Sequence, residues 1–498
     1  MPKLNLALVV VALLVPSGRV CAQELLREHD DGYGAKAIAL SDLDGDGVRD
    51  YVVARFDPKL GGQETVEVRS GRSGALIRSI PSGEPVGASW YFGYALAELG
   101  DVDADGVPDL LVGALLADDP NSTFVEPGGA FVYSGSDGHL LCSVYGAADK
   151  DWLGEWVAAL DDVDGDGHAD FLVGSGTLMG SYQPYVNAYS GATGAILYTV
   201  PDAYVVATLS DRDGDGLRDF ASFGGSGLQV ASGASGAILA TFMPPPPVGF
   251  LGGVAEIDDI DGDGANEIVL GETDPVHRFD GQVRVLSLPT LTTLRLHPAV
   301  DSLEQFGERI DSFDADGDGV RDYLVGATGW FTTGGSASLF SGRTGERLYR
   351  FVDPSADYFM GSAVAGLGDL DGDGFAELAV GSPFHVPPGI IKYGAELIYR
   401  GNDLWLDAYP KSVAAGATET VAIHGAPNGN PVALFVVDVA GAPAFQLAGF
   451  GAANSLEAFD VTGTVPVGLA GSDWTLRAYA LDANGKLMVS ADEVLAFN

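Results

Sequence analysis

The sequence predicts an all-β protein: a seven-bladed β-propeller followed by a small C-terminal β-sandwich of Ig-like size. Two observations predict it. An acidic motif, D-x-D-x-D-G-x-x-[D/E], recurs with starts at Asp42, Asp101, Asp162, Asp211, Asp259, Asp314 and Asp369, each time followed by a short apolar run. These starts lie 48 to 61 residues apart, a period suited to one four-stranded blade. Glycine, 70 of 498 residues, is about twice its usual share of roughly 7% and has no three-residue period, which fits turn-rich β structure.

Each repeat supplies four strands. An aromatic-glycine step opens the first, as in Phe92-Gly93, Phe250-Leu251-Gly252, Phe306-Gly307 and Phe359-Met360-Gly361, and the acidic loop closes it. The apolar run after the loop is the second strand. An alternating run ending in Ser-Gly-x-x-Gly, at Ser70, Ser134, Ser190, Ser232 and Ser341, gives the third strand, a turn and the fourth strand. The last repeat has no such tail, while Glu24–Glu28 resembles a fourth strand; this N-terminal strand is expected to complete the seventh blade. Without that pairing the ring would expose two sheet edges.

Residues 1–22 read as an export signal: Lys3, an apolar core from Leu4 to Val15, and a small-residue cleavage site ending at Ala22. The core is short for a membrane span of about 20 residues. Cys21 raises a lipoprotein alternative, although Gly18-Arg19-Val20 before it fits a lipobox badly. After cleavage Cys142 is the one remaining cysteine, so no intramolecular disulfide can form. The expected product is secreted, periplasmic or cell-surface, monomeric, with domains at 23–401 and 403–498.

With 69 acids against 26 bases the net charge is −43, which disfavours nucleic-acid and anionic-membrane partners and favours cations. The acidic loops explain why. Counted from its first Asp, each loop places carboxylates at positions 1, 3, 5 and 9, a turn-permitting Gly at 6 and a backbone carbonyl at 7. The expected ligands, in loop order, are Asp42, Asp44, Asp46, Val48 and Asp50; Asp101, Asp103, Asp105, Val107 and Asp109; Asp162, Asp164, Asp166, His168 and Asp170; and Asp211, Asp213, Asp215, Leu217 and Asp219. They continue with Asp259, Asp261, Asp263, Ala265 and Glu267; Asp314, Asp316, Asp318, Val320 and Asp322; and Asp369, Asp371, Asp373, Phe375 and Glu377.

An oxygen-only set of this size suits Ca²⁺, a hard cation taking six to eight oxygens, better than Mg²⁺, which keeps its water. A single copy could be a solvated Asx turn; seven complete copies point to metal. Position 12, Glu in a helical calcium-binding loop, is apolar or Ser here and falls in a strand, so the metal belongs to a β-hairpin. With a dissociation constant of roughly 0.1 mM in about 1 mM Ca²⁺, each site contributes about 1.4 kcal/mol. Up to seven sites reach about 10 kcal/mol, the scale of a whole domain's stability, so a structural role is expected.

These residues resemble the FG-GAP (VCBS-like) repeats of the integrin α-subunit propeller and its secreted bacterial relatives. The resemblance covers residues 24–401 and rests on the aromatic-glycine step, the acidic loop and the turn after it, as in Val112-Gly113-Ala114, Val325-Gly326-Ala327 and Val380-Gly381-Ser382-Pro383. It implies a seven-bladed propeller with Ca²⁺ in the hairpins between first and second strands, and ligand binding on the opposite face. The fourth repeat departs from the pattern, with Phe220-Ala221-Ser222-Phe223 and no clear aromatic-glycine step. A D-x-S-x-S adhesion motif is also missing, so integrin-type signalling does not carry over.

The resemblance leaves a non-enzymatic binding or adhesion module for an extracellular protein or matrix partner, with a carbohydrate-binding propeller as the alternative and a polysaccharide-degrading enzyme as a third reading. The seven His are scattered and no G-x-S-x-G motif occurs. His168 is expected to face solvent, and Cys142 to pack as a small apolar residue. Trp152 and Trp156 read as packing between blades. Candidate ligand contacts lie in the loops between second and third strands: Leu116–Glu126, Tyr182, Trp330, Phe331 and Phe384.

Overall fold

The computed structural model describes residues 25–29, 36–57, 63–83, 91–176, 184–224, 227–244, 250–273, 281–288, 290–299, 305–329, 335–352, 360–372, 375–382 and 395–399, and the backbone of strands between 405 and 497. The chain divides into one unit of Leu25–Asn402 and a second that contains Asp403–Asn498.

The first unit is an all-β propeller. Six blades are antiparallel sheets of four consecutive strands. The first comprises Ala37–Ala39, Tyr51–Asp57, Gln63–Arg69 and Leu76–Pro81, and the second Phe92–Glu98, Leu110–Ala114, Gly129–Tyr133 and Leu140–Tyr145. The third comprises Trp156–Ala159, Phe171–Gly174, Tyr185–Tyr189 and Ile196–Pro201, and the fourth Val205–Leu209, Asp219–Gly224, Gly227–Ala231 and Ile238–Phe242. The fifth comprises Phe250–Ile257, Glu267–Thr273, Gln282–Ser287 and Thr292–Pro298, and the sixth Phe306–Phe313, Asp322–Ala327, Ser336–Phe340 and Arg347–Val352.

The last repeat supplies only three strands, Ala363–Gly368, Glu377–Ser382 and Ala395–Tyr399. Leu25–His29 pairs antiparallel with Ala395–Tyr399 and makes a composite four-stranded sheet. The first strands of the six blades and Ala363–Gly368 touch in cyclic order, with Ala363–Gly368 returning to Ala37–Ala39.

The core lies between blades. Every residue of Leu110–Ala114 is buried, because a sheet stacked between two neighbours has no wet face. Val52, Val66 and Val68 of the first blade pack with Phe92, Val112 and Phe131 of the second. Ile257, Val269 and Val283 of the fifth blade pack in the same way with Phe306, Tyr323 and Val325 of the sixth. Fourth strands are outermost, and Leu76, Leu140 and Ile196 there are exposed.

The repeated glycines mark where these blades touch. The aromatic-glycine step is a break in strand register, between Phe92 and Ala95 and again between Phe306 and Arg309. Its glycine takes a left-handed φ, 88° at Gly93 and 97° at Gly307, which favours Gly. Its carbonyl then meets the second-strand glycine of the preceding blade. A Cβ on Gly113 would lie 2.2 Å from the Gly154 oxygen, one on Gly271 1.8 Å from that of Gly307, and one on Gly326 2.1 Å from that of Gly361. In the fourth blade, which has no such step, Tyr204 takes the place, its oxygen 2.3 Å from a Cβ on Gly174.

In the second unit, Trp405–Tyr409, Thr418–His424 and Phe459–Thr464 form a three-stranded sheet. Ser412–Val413, Pro431–Val439, Ala442–Ala452, Asp473–Leu481, Leu487–Val489 and Glu493–Phe497 form a six-stranded one.

Gly113→Ala should destabilise the propeller by about 2–3 kcal/mol, because the added methyl must push two blades apart. Chemical denaturation measures this, and a midpoint equal to the parent's would refute the close-contact account.

Candidate metal centres

Each acidic loop joins the first and second strands of its blade and folds on its own carboxylates. In the first blade the Asp42 carboxylate accepts N–H bonds from Gly45 (2.7 Å) and Gly47 (2.8 Å). Asp44 accepts from Asp46 (3.1 Å) and Asp46 from Val48 (2.9 Å). The bond from the position 6 glycine to the first Asp recurs at Gly106, Gly167, Gly216, Gly264 and Gly319, all at 2.8–3.0 Å. Backbone N–H groups led by that glycine hold the carboxyls of Asp42, Asp211 and Asp259 below their usual range.

Two positions of each of the first six loops are left-handed, not one. Position 4 joins position 6, with φ 78° at Gly45 and 85° at Gly47. Ala104 holds the position 4 conformation in the second blade at φ 63°, which costs a non-glycine residue about 1 kcal/mol.

The acid at position 9 ties the loop to the rest of the blade. Asp50 is fully buried; it accepts from Leu43 N–H (2.8 Å) within the loop and from Gly71 N–H (3.0 Å) in the turn between third and fourth strands. The turn glycine donates in the same way from Gly135 to Asp109, Gly191 to Asp170, Gly233 to Asp219 and Gly342 to Asp322, at 2.8–2.9 Å. A Cβ on any of these five glycines would sit 1.8–2.0 Å from the position 8 carbonyl oxygen of the loop. The Ser-Gly signature was legible as a turn; its role as the outer anchor of the loop was not, since it depends on contact between segments about twenty residues apart.

Neighbouring loops are also clasped. Arg218 donates its backbone N–H (2.7 Å) and Nε (2.8 Å) to Asp161, which precedes the third loop. Arg321 does the same to Asp258 at 2.6 and 3.1 Å. His168 corrects an expectation. Its ring is half-buried and Nδ1 bonds the Val102 carbonyl of the second loop, because the ring reaches the neighbouring blade before it reaches solvent.

The donors converge. Atoms of Asp42, Asp44 and Asp50 lie within 4.8 Å of one another, as do those of Asp101, Asp103 and Asp109, of Asp162, Asp164 and Asp170, and of Asp211, Asp213 and Asp219. In the fifth blade four carboxylates meet this limit, Asp259, Asp261, Asp263 and Glu267. Glu267 is fully buried and its Oε1 has no hydrogen-bond partner. A buried carboxylate with one unpartnered oxygen, grouped with three other carboxylates, fits a cation, since its burial otherwise leaves desolvation uncompensated.

Of the expected ligands, Asp373 lies outside the described residues, as do Tyr182, Trp330, Phe331, Phe384 and the whole export signal. Loop 116–126 is described. Its backbone bonds Asp118, Asp119 and Asp149, and it exposes Phe124 and Val125. Trp156 packs between blades, with the Arg309 guanidinium 5.0 Å from its ring centre. Cys142 is half-buried, and burial pushes its thiol up, away from nucleophilic reactivity.

Burial also raises the position 9 acids Asp50, Asp109, Asp170 and Asp219, and pushes Glu267 up to about 7. Burial and the Asp316 charge raise Asp322. A carboxyl raised in the folded state stabilises the fold while protonated, and that stability is lost as pH rises through the folded pKa. For Glu267 the window runs from its ordinary 4.5 to about 7. The chelated protein should therefore melt at a lower temperature at pH 8 than at pH 5.5, and added cation should abolish or reverse that order by taking the proton's place. Melting curves at the two pH values check this; a chelated protein more stable at pH 8 would contradict it.

The FG-GAP repeat family matches residues 360–392. Human integrin alpha-8 is 28% identical over 201 residues, 36% of this chain and 17% of that protein. Integrin alpha-V of Gallus gallus is 29% identical over 177 residues, 34% and 17% of the two chains, and integrin alpha-PS2 of Drosophila melanogaster is 31% identical over 161 residues, 30% and 11%. The matched stretch is thus less than a fifth of each relative's length. With the blades, their acidic hairpin loops and the repeat match together, the first unit is an all-β propeller similar to the FG-GAP propeller of integrin α subunits.

Proposed function

We propose that the chain is a secreted, Ca²⁺-stabilised scaffold whose face opposite the acidic loops binds an extracellular protein or matrix partner. The observation that carries the metal half is the convergence of Asp259, Asp261, Asp263 and the buried Glu267, one oxygen of which has no hydrogen-bond partner. In this reading the carboxylates at positions 1, 3, 5 and 9 and the carbonyl at position 7 hold Ca²⁺ in up to seven loops. The cation supplies positive charge that lets buried acids stay ionised. The composite sheet acts as a seventh blade, and residues 403–498 as an accessory β-sandwich.

The binding half rests on topology and on the relatives. Loops between first and second strands share one face with the turns between third and fourth, so loops between second and third strands leave from the other. Phe124 and Val125, 41% and 54% exposed, stand on such a loop with its backbone tied by side-chain bonds. Large apolar side chains on a pre-ordered loop suit a protein partner, since little entropy is lost on docking. Integrin α subunits, whose propeller this one resembles, are adhesion receptors, and a non-catalytic binding module follows from the same likeness.

Excess EGTA should lower the melting temperature by well over ten degrees, and an unchanged curve would sink the structural-metal half. In Ca²⁺ buffer, a partner captured by the parent protein should be lost with Phe124→Ala plus Val125→Ala at unchanged melting temperature. Retention of the partner by that variant would remove this loop from the binding face, and glycan-array binding would move the reading to the carbohydrate alternative.

A further inference from the structure

We propose that the fifth-blade loop is a cation site of higher affinity than those of blades one to four, that Glu267 sets it apart from them, and that it fills before them. The inference rests on the reading of the loops as cation sites and adds an order among them.

Position 9 is where the loops differ. In blades one to four and six it is Asp, and each of its two oxygens accepts a backbone N–H, one from the loop and one from the Ser-Gly turn. The fifth blade carries Ser287-Leu288 where the others carry Ser-Gly. Its position 9 residue is Glu267, one methylene longer. Oε2 accepts from Ile260 N–H at 2.9 Å, while Oε1, buried, accepts from no group. The oxygen that blades one to four and six spend on the turn has no such donor here, and Glu267 belongs to a convergent group whose other members are Asp259, Asp261 and Asp263.

Position 5 differs as well. In the first blade the Arg72 guanidinium, from the Ser-Gly turn, donates Nε to Asp46 Oδ2 at 3.2 Å. Arg343 does the same to Asp318 in the sixth blade at 2.6 Å. These side chains already supply a cation to a carboxylate that the metal needs. In the fifth blade Asp263 Oδ2 accepts, among the described residues, from the Ser287 hydroxyl, at 3.3 Å. Four convergent carboxylates attract a divalent ion more strongly than the three that converge in each of blades one to four, because ligand charge sets affinity in such sites.

Calorimetric titration of the chelator-stripped full chain with CaCl₂ tests the order. The parent should bind in at least two steps, and Glu267→Gln should remove one equivalent from the tight step while leaving the weak ones. Should that variant fail to fold, Glu267→Asp carries the test. It keeps the charge and copies the residue of the other blades, and should weaken the tight step by about tenfold. A single class of equal sites in the parent, or a tight step untouched by the variants, would overturn the inference and leave the cation reading standing. Absence of saturable Ca²⁺ binding by the parent would overturn the cation reading itself.

Discussion

The buried acid at position 9 is the joint on which each blade depends. Asp50 and its counterparts take one N–H from the acidic loop and one from the turn between the outer strands, so a single carboxylate spans the sheet from its first hairpin to its last. A charged group in that place is expensive unless its oxygens are satisfied. The N–H of the loop's second residue and that of the turn glycine satisfy them. Lengthening the acid by one methylene and removing the turn glycine, as the fifth blade does, breaks one arm of the joint and leaves one buried oxygen without a hydrogen bond.

Between blades the limiting contact is backbone on backbone. Gly113 against Gly154, Gly271 against Gly307 and Gly326 against Gly361 leave no space for a side chain. That contact fixes how closely successive sheets stack, and with it which valines and phenylalanines meet in the layers between them. The aromatic-glycine step and the glycine after the second strand are one device seen from its two sides. Loop-to-loop clasps such as Arg218 to Asp161 set the same spacing at the rim.

Much of this was legible in the chain. Acidic loops repeat with so few changes that the strands flanking each loop follow from spacing alone. What could not be read were contacts between segments distant in sequence: the turn glycine's bond to position 9, the half-buried ring of His168 on the neighbouring loop, and the fit of one repeat's aromatic-glycine step to the preceding repeat. The Asp-to-Glu exchange at residue 267 was visible as a letter. Its meaning needed the neighbouring Leu288, because only the missing turn N–H shows what the longer side chain leaves free. The fourth repeat read as degenerate, yet Tyr204 holds its interface and Asp219 makes both bonds of the joint. A signature residue can be replaced where its backbone contact survives.

The pairing of Leu25–His29 with Ala395–Tyr399 has a consequence for the order in which the molecule can be assembled. Each doubling of a closed loop costs only about 0.6 kcal/mol. Joining strands some 370 residues apart is therefore about 3 kcal/mol harder than joining neighbours within one repeat, a small sum beside the sheet it completes. The larger effect is on time. A chain emerging from its N-terminus makes one partner of this sheet first and the other after every intervening repeat, so its earliest strand waits unpaired for its latest. Non-local pairings of this kind slow folding more than they weaken the product. The ring is thermodynamically easy to shut and kinetically the last thing to shut.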